Sequence, residues 1–292
     1  MLYNWVILSL ISALSLATSD ALTKKALHEH NEYLVAWFRL VFSIPILLLL
    51  WLFIPKPELD TEFYQAFCFS LPLEIIAIIF YIKALRLSPL GMTLPFLSLT
   101  PMFLIIISYV ILGEKVSIQG GFGIFLLAAG SYTLNLNLMR KGILEPFFAI
   151  KKEKGSVLMI FVAFIYSITS SLGKMAIEHS SPLFFGITYF LVLTIFFTPI
   201  SLFCGRHELK IFMSEKKYKK LLFPGIFYSV MIVSHMIAMS LTNVAYMISV
   251  KRTSLLMGVL YGYFLFRERN LKERITGALL MFIGFIMIVT AS

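Results

Sequence analysis

The chain has 292 residues, of which 59% are hydrophobic and 14% charged, with a net charge of +10. Soluble domains run about 45–50% apolar and about 25% charged, so the composition excludes a disordered chain, a collagen-like repeat and an ordinary soluble enzyme. A bilayer crossing takes about 20 residues, and mean hydropathy of +0.90 places most of this chain in lipid.

The apolar runs are long and continuous rather than alternating. In hydrocarbon every backbone polar group must be paired within the segment, so such runs form helices. Ten are predicted, over Asn4–Thr23, Tyr33–Ile54, Phe63–Leu85, Leu90–Leu112, Ile118–Leu136, Ser156–Ile177, Pro182–Cys204, Leu221–Leu241, Ala245–Phe266 and Leu271–Ala291. Pro89, Pro146, Pro182 and the Pro55–Lys56–Pro57 turn mark joins, whereas Pro45, Pro72, Pro95, Pro101 and Pro199 fall inside predicted helices and can kink them. Met1 to Trp5 lacks a basic start and Ser19–Asp20 makes a poor cleavage context, so the first run is expected to be a retained helix.

The first helix carries Asp20, one turn before Lys24, where an i,i+4 pair is the expected arrangement. Arg39 lies about two turns into the second helix. It can snorkel, or meet Asp20 or an anionic substrate group. Glu74 is central in the third helix. A lone charge there costs about 2.5–3.5 kcal/mol or more, so the carboxyl must be paired or neutral. A proton-coupling role and a static hydrogen bond to a neighbouring helix explain it equally well. Tyr81 lies two turns further on, and Ser98, Thr100 and Pro101 sit where the fourth helix frees backbone that can line a cavity.

In the second half, Lys174, His235 and Lys251 are expected to share a face. Together they form a cationic lining suited to carboxylate or phosphate. Adjacent residues diverge on a helix, so Lys251 rather than Arg252 is expected to face inward. Tyr166, Tyr246 and Trp37 are aromatic candidates for a cavity wall. Cys68 and Cys204 lie in apolar runs and are expected to be buried and unbridged, without metal. His28–Glu29–His30 lacks the spacing that puts two histidines on one helix face, so no metal site is expected. No Walker motif and no Gly-x-Ser-x-Gly elbow appear, which argues against direct nucleotide drive and against a hydrolase. No cofactor is implied.

All but six of the 25 basic residues, the exceptions being Arg39, Lys56, Lys115, Lys174, Lys251 and Arg252, fall on the side reached after the odd-numbered helices. By the positive-inside rule that side is cytoplasmic, and both termini lie outside. The same rule explains the basic balance without nucleic acid.

The two halves are similar. A shift of 154 residues carries Glu114–Lys115 onto Glu268–Arg269, Gly123 onto Gly277, Gly130 onto Gly284, and Ala84 onto Ala238. A shift of 150 carries Leu22, Lys24 and Ala26 onto Leu172, Lys174 and Ala176. Five helices per half is an odd number, so the second half enters the membrane inverted. The fold class is thus an all-α integral membrane protein with ten transmembrane helices as two inverted five-helix repeats, residues 1–137 and 156–292, joined by a polar loop at 138–155. Inverted repeats point to a carrier with its site near the midplane. The glycine pairs, and Gly258/Gly262, suit close packing within the monomer rather than dimerisation.

Ala84–Leu85–Arg86, Pro89, Thr100–Pro101, Leu112–Gly113–Glu114 and Gly123 resemble the first half of an EamA-type carrier of the drug/metabolite transporter superfamily. Ala245–Tyr246, Ile248–Ser249–Val250–Lys251–Arg252, Glu268 and Gly277 resemble the second half. The resemblance implies a ten-helix carrier of small metabolites, often an exporter of amino acids or related compounds, in the plasma membrane of a prokaryote. It also implies cytoplasmic termini, opposite to the charge count, and both orientations stay open here. The expected substrate-lining residues are Arg39, Glu74, Tyr81, Ser98, Thr100, Pro101, His235, Tyr246 and Lys251, with Glu74 and Asp20 coupling protons. A lipid-modifying membrane enzyme and a non-transporting receptor or scaffold are the alternatives.

Overall fold

A computed structural model describes residues 4–87, 94–133, 154–266 and 271–291. The side chains of 24–29, 85–86, 94–95, 259, 262–266 and 271–274 fall outside that description. So do Pro89, Pro146, Glu268 and most of the 138–155 loop, and with them the turn pair Glu268–Arg269.

The described residues are helical, without strands. The elements are α1 (Asn4–Glu29), α2 (Glu32–Trp51), α3 (Thr61–Leu87), a 3-10 segment (Leu94–Leu99) running into α4 (Thr100–Leu112), α5 (Ile118–Thr133) and α6 (Lys154–Glu178). Then come α7 (Pro182–Ser214), a 3-10 turn (Lys217–Leu221), α8 (Leu222–Leu241), α9 (Val244–Lys251), α10 (Ser254–Phe266) and α11 (Leu271–Ala291). Six of these stretches are long and apolar enough to cross a membrane, and Phe96–Leu112 and Ile275–Ala291 are shorter apolar helices.

Local chemistry sets the ends. The Asn31 side chain accepts from the N–H groups of Tyr33 and Leu34 and caps α2, and Ser181 caps α7 with Pro182 following, as an N-cap and first-turn proline should. Gly113 ends α4 at φ 71°, a left-handed conformation that costs glycine little. Two expectations change. The polar stretch after Cys204 continues α7 to Ser214, because Phe212 reaches back to bury itself with Leu34, Val35, Phe38 and Leu221. The predicted ninth helix is two helices, α9 and α10, separated at Arg252–Thr253. There the backbone tightens: Thr253 N–H bonds to Val250 O, Leu255 to Arg252 O, and Leu256 to Thr253 O. A 3-10 stretch inside a helix is a mark of strain or of a hinge. The 154-residue shift carries Thr100, where the 3-10 segment gives way to α4, onto Ser254, where α10 begins. The fourth helix of each half thus changes pitch at the same repeat position.

The halves pack reciprocally. α1 lies against α8 and α3 against α6, so the first helix of each repeat lies against the third of the other. α2 pairs with α7, and α5 with α11. The last pair is held by glycines. A Cβ on Gly123 would stand 2.8 Å from Gly284 O, and one on Gly130 would stand 2.7 Å from Gly277 O. The repeat partners therefore meet crosswise, 123 on 284 and 130 on 277, as antiparallel helices about a local two-fold axis must. Gly258 has no atom within 4 Å of a Cβ, so the packing role expected for it is not seen among the described residues. Cys68 and Cys204 are free and exposed, not buried; their apolar neighbours Phe69 and Phe203 are also exposed.

Candidate functional site

Polar side chains from seven helices converge between the halves. The Arg39 guanidinium of α2 donates to Asp20 Oδ1 of α1 at 2.6 Å and lies 4.5 Å over the Tyr228 ring of α8. The expected Asp20–Lys24 pair lies outside the described side chains, whereas the pairing with Arg39 that the sequence also allowed is present. Arg39 comes from a neighbouring helix and makes a short, charge-assisted contact. The Asp20 side chain stays 47% exposed in this pair.

Glu74 of α3 faces the Thr169 hydroxyl of α6. It is within electrostatic reach of Lys251, Tyr166 and Tyr228. Tyr81, two turns along α3, lies near Asp20, Arg39 and Arg252. The Lys251 ammonium, at the end of α9, donates to His235 Nδ1 at 3.1 Å and to Met231 Sδ at 3.3 Å. When Lys251 is an ammonium it only donates, and the imidazole is then the Nε2-protonated tautomer. Arg252 Nη2 donates to Thr100 Oγ1 at 3.0 Å, which joins the pitch changes of the two halves. Glu74, Tyr81, His235, Lys251 and Arg252 are each half-buried.

Both Lys251 and Arg252 reach this region, against the expectation that one would. The divergence of neighbouring side chains holds on a continuous helix, and α9 stops at Lys251. Tyr246 sits elsewhere, while Ser98 and Pro101 flank Thr100 in the chain. Ser98 and Pro101 are buried, with the Ser98 hydroxyl 3.5 Å from Ala128 O of α5. The Tyr246 hydroxyl accepts from Ser117 N–H at 3.0 Å and lies 3.1 Å from Ser117 Oγ, where it holds the α4–α5 turn. Trp37 donates to Thr198 Oγ1 at 2.9 Å.

Lys174 is not part of the cationic lining. Its ammonium is 3.1 Å from Glu114 Oε1, with both side chains nearly buried at 8% and 11% exposure. It also donates to Thr242 O at 2.7 Å. Glu114 Oε2 accepts from Val244 N–H at 2.9 Å, and the Asn243 amide donates to Lys115 O. The α4–α5, α8–α9 and α6–α7 ends are thereby bound into one closed face. On that face the His179 ring lies 2.6 Å from Asp60 Oδ2. The Phe63 N–H and the His179 ring hold the Asp60 carboxyl below the usual aspartate range. Asp60, Glu62 and His179 have ligand atoms within 4.8 Å of one another, an exposed group the sequence did not single out.

Sequence reasoning also missed Tyr228 and Thr169. For Tyr228 a signal existed, since the 154-residue shift carries Glu74 onto it.

The model of the EamA-like transporter family matches residues 3–136 and again 153–290. No curated protein matches the sequence. A solved crystal structure shares the fold at a TM-score of 0.75, covering 97% of this chain and 95% of its own, at 13% identity.

Proposed function

The chain belongs to the EamA-like transporter family, and on that premise we propose that it is a secondary carrier of small polar metabolites, exporting amino acids or related compounds from a prokaryotic cell. The membrane, the transporter class and the two repeats follow from the family. The carrier mechanism rests on one observation: a water-accessible cluster of acids, cations and tyrosines lies between two reciprocally packed repeats, at the place where the fourth helix of each changes pitch.

In this reading the chain crosses the bilayer ten times as two inverted five-helix repeats, 1–137 and 156–292, with 138–155 as the linker. The 3-10 segment with α4 makes one crossing, and α9 with α10 another. The repeats rock about the central cluster, the mode expected of inverted-repeat carriers. The Lys174–Glu114 network supports a closed state on one face. The exposure of Asp20 supports a cavity open towards the basic loops, which the charge rule makes cytoplasmic. The termini are then extracellular, and the conformation faces inward. Glu74 and Asp20 couple protons, and the monomer is the working unit in the plasma membrane.

Flux into proteoliposomes containing the purified chain tests the reading. Counterflow of at least one polar metabolite is expected, faster with an imposed proton gradient and lost in Arg39→Ala. Absence of flux across a metabolite panel, with turnover of the vesicle lipid, refutes the carrier and favours an enzyme.

A further inference from the structure

The cations of the central cluster outnumber its carboxylates. Arg39, Lys251 and Arg252 stand against Asp20 and Glu74, and Arg39 is taken by Asp20 at 2.6 Å. Neither Lys251 nor Arg252 makes an ion pair among the described residues. Two of the three donors of Lys251 go to a neutral imidazole and a thioether, and a thioether is a weak acceptor. Arg252 gives one donor to the Thr100 hydroxyl, while its Nε is buried without a partner. Glu74, which also meets the Thr169 hydroxyl, balances one of the two charges when ionised and then leaves one positive charge over.

We propose that this pair is the recognition site for a substrate of net charge −1, whose carboxylate sits against Lys251 and Arg252. The inference rests on the carrier reading for the meaning of "substrate", but its geometry does not. An ammonium beside a half-buried guanidinium presents a point donor and a planar set of donors, and the planar set suits a two-oxygen acceptor. A single excess charge favours a carboxylate over a phosphomonoester, which brings about −1.5 to −2 at neutral pH. Buried charges in lipid that lack counter-charges mark ion or substrate paths. The remaining end of the ligand lies towards Tyr81, Tyr166 and Glu74, which accept and donate hydrogen bonds without adding cations.

Thermal melting of the full-length chain in detergent tests this directly, because a ligand that binds only the folded state raises its melting temperature. The probes are L-lactate, N-acetylglycine and L-glutamate, each matched to its neutral or zwitterionic amide, with inorganic phosphate alongside. At least one monoanion is expected to raise the melting temperature while its amide does not. In Lys251→Met and in Arg252→Gln the apparent affinity is expected to fall about tenfold or more. Lys251→Arg is expected to keep it. Amides that bind as well as their acids, silence from all three monoanions, or phosphate binding more tightly than any carboxylate would each overturn the proposal. If Lys251→Met does not fold, the acid-against-amide comparison in the unaltered chain decides. Binding with no flux in vesicles refutes the carrier reading alone, whereas flux of zwitterions with no preference for acids refutes this inference alone.

Discussion

Replacing Lys174 by methionine isolates the contribution of the closed face. The substitution keeps the length of the side chain and its buried methylenes, and removes the ammonium that lies 3.1 Å from Glu114 Oε1 and 2.7 Å from Thr242 O. Glu114 is 11% exposed and is left as a buried carboxylate whose remaining strong contact is the Val244 N–H. Breaking such a pair from one side costs about 3–5 kcal/mol. At about 2–4 °C per kcal/mol, the melting temperature should fall by about 10 °C. Changing Glu114 to glutamine as well should recover most of the loss, because the amide oxygen can still accept from Val244 N–H and no unpaired charge remains. A double-mutant cycle read by thermal melting in detergent measures the coupling. Loss below about 1 kcal/mol in Lys174→Met, or a double variant that loses the sum of the two single changes, would refute the latch. Restored stability together with faster exchange counterflow would mark the latch as a barrier that is crossed in each cycle.

Four further changes have definite outcomes. Gly130→Ala puts a methyl group 2.6 Å from Met281 N and 2.7 Å from Gly277 O, so α5 and α11 must part at a cost of about 1–3 kcal/mol. Gly121→Ala, with nothing within 4 Å, should instead be neutral or stabilising by up to about 1 kcal/mol, and melting of the two variants side by side checks the contrast. Glu74→Gln should remove the pH dependence of flux while retaining binding; full rate with an unchanged pH profile would deny Glu74 a proton. The Asp60 carboxyl is held below its usual value by the Phe63 N–H and by His179. Its contribution is therefore complete above pH 3.8, the ordinary aspartate value, and is lost as pH falls through the depressed value. Asp60→Ala should lower the melting temperature at neutral pH and flatten its decline in acid; parallel melting curves from pH 3 to pH 7 would contradict this.

The architecture was legible because lipid leaves few choices. Run length gave the helices, and the matched glycines pointed to close packing, which the structure places between α5 and α11. The split of α9 from α10 was not legible. No proline or glycine marks Arg252–Thr253, and the tightening there depends on what Arg252 reaches in the other half. Lys174 and Lys251 look alike in sequence, each a lysine near a helix end. What separates them is the acid at Glu114, which is 60 positions from Lys174 in the chain and adjacent only after folding. The pairing of Asp20 with Arg39 was only one of several the sequence allowed for the same reason: local spacing ranks neighbours on one helix and is silent about the next. Tyr246 shares the aromatic character of Tyr81, and only packing separates a turn-holding hydroxyl from one in the cavity.

The crossing of the two fourth helices carries a last consequence. The backbone there obeys the two-fold axis, but the side chains do not. Under the 154-residue shift Arg252 answers to Ser98, Lys251 to Leu97, and Tyr228 to Glu74. A strictly symmetric pocket would accept a ligand in two equivalent poses and could not tell its ends apart. Here all the spare positive charge belongs to one half and the free acid to the other. In the proposed carrier the pocket is therefore polarised, and a ligand inside it would have a head and a tail. Were the halves to exchange roles across the membrane, the head would stay with the second repeat, and the molecule that leaves would have kept one orientation throughout its passage.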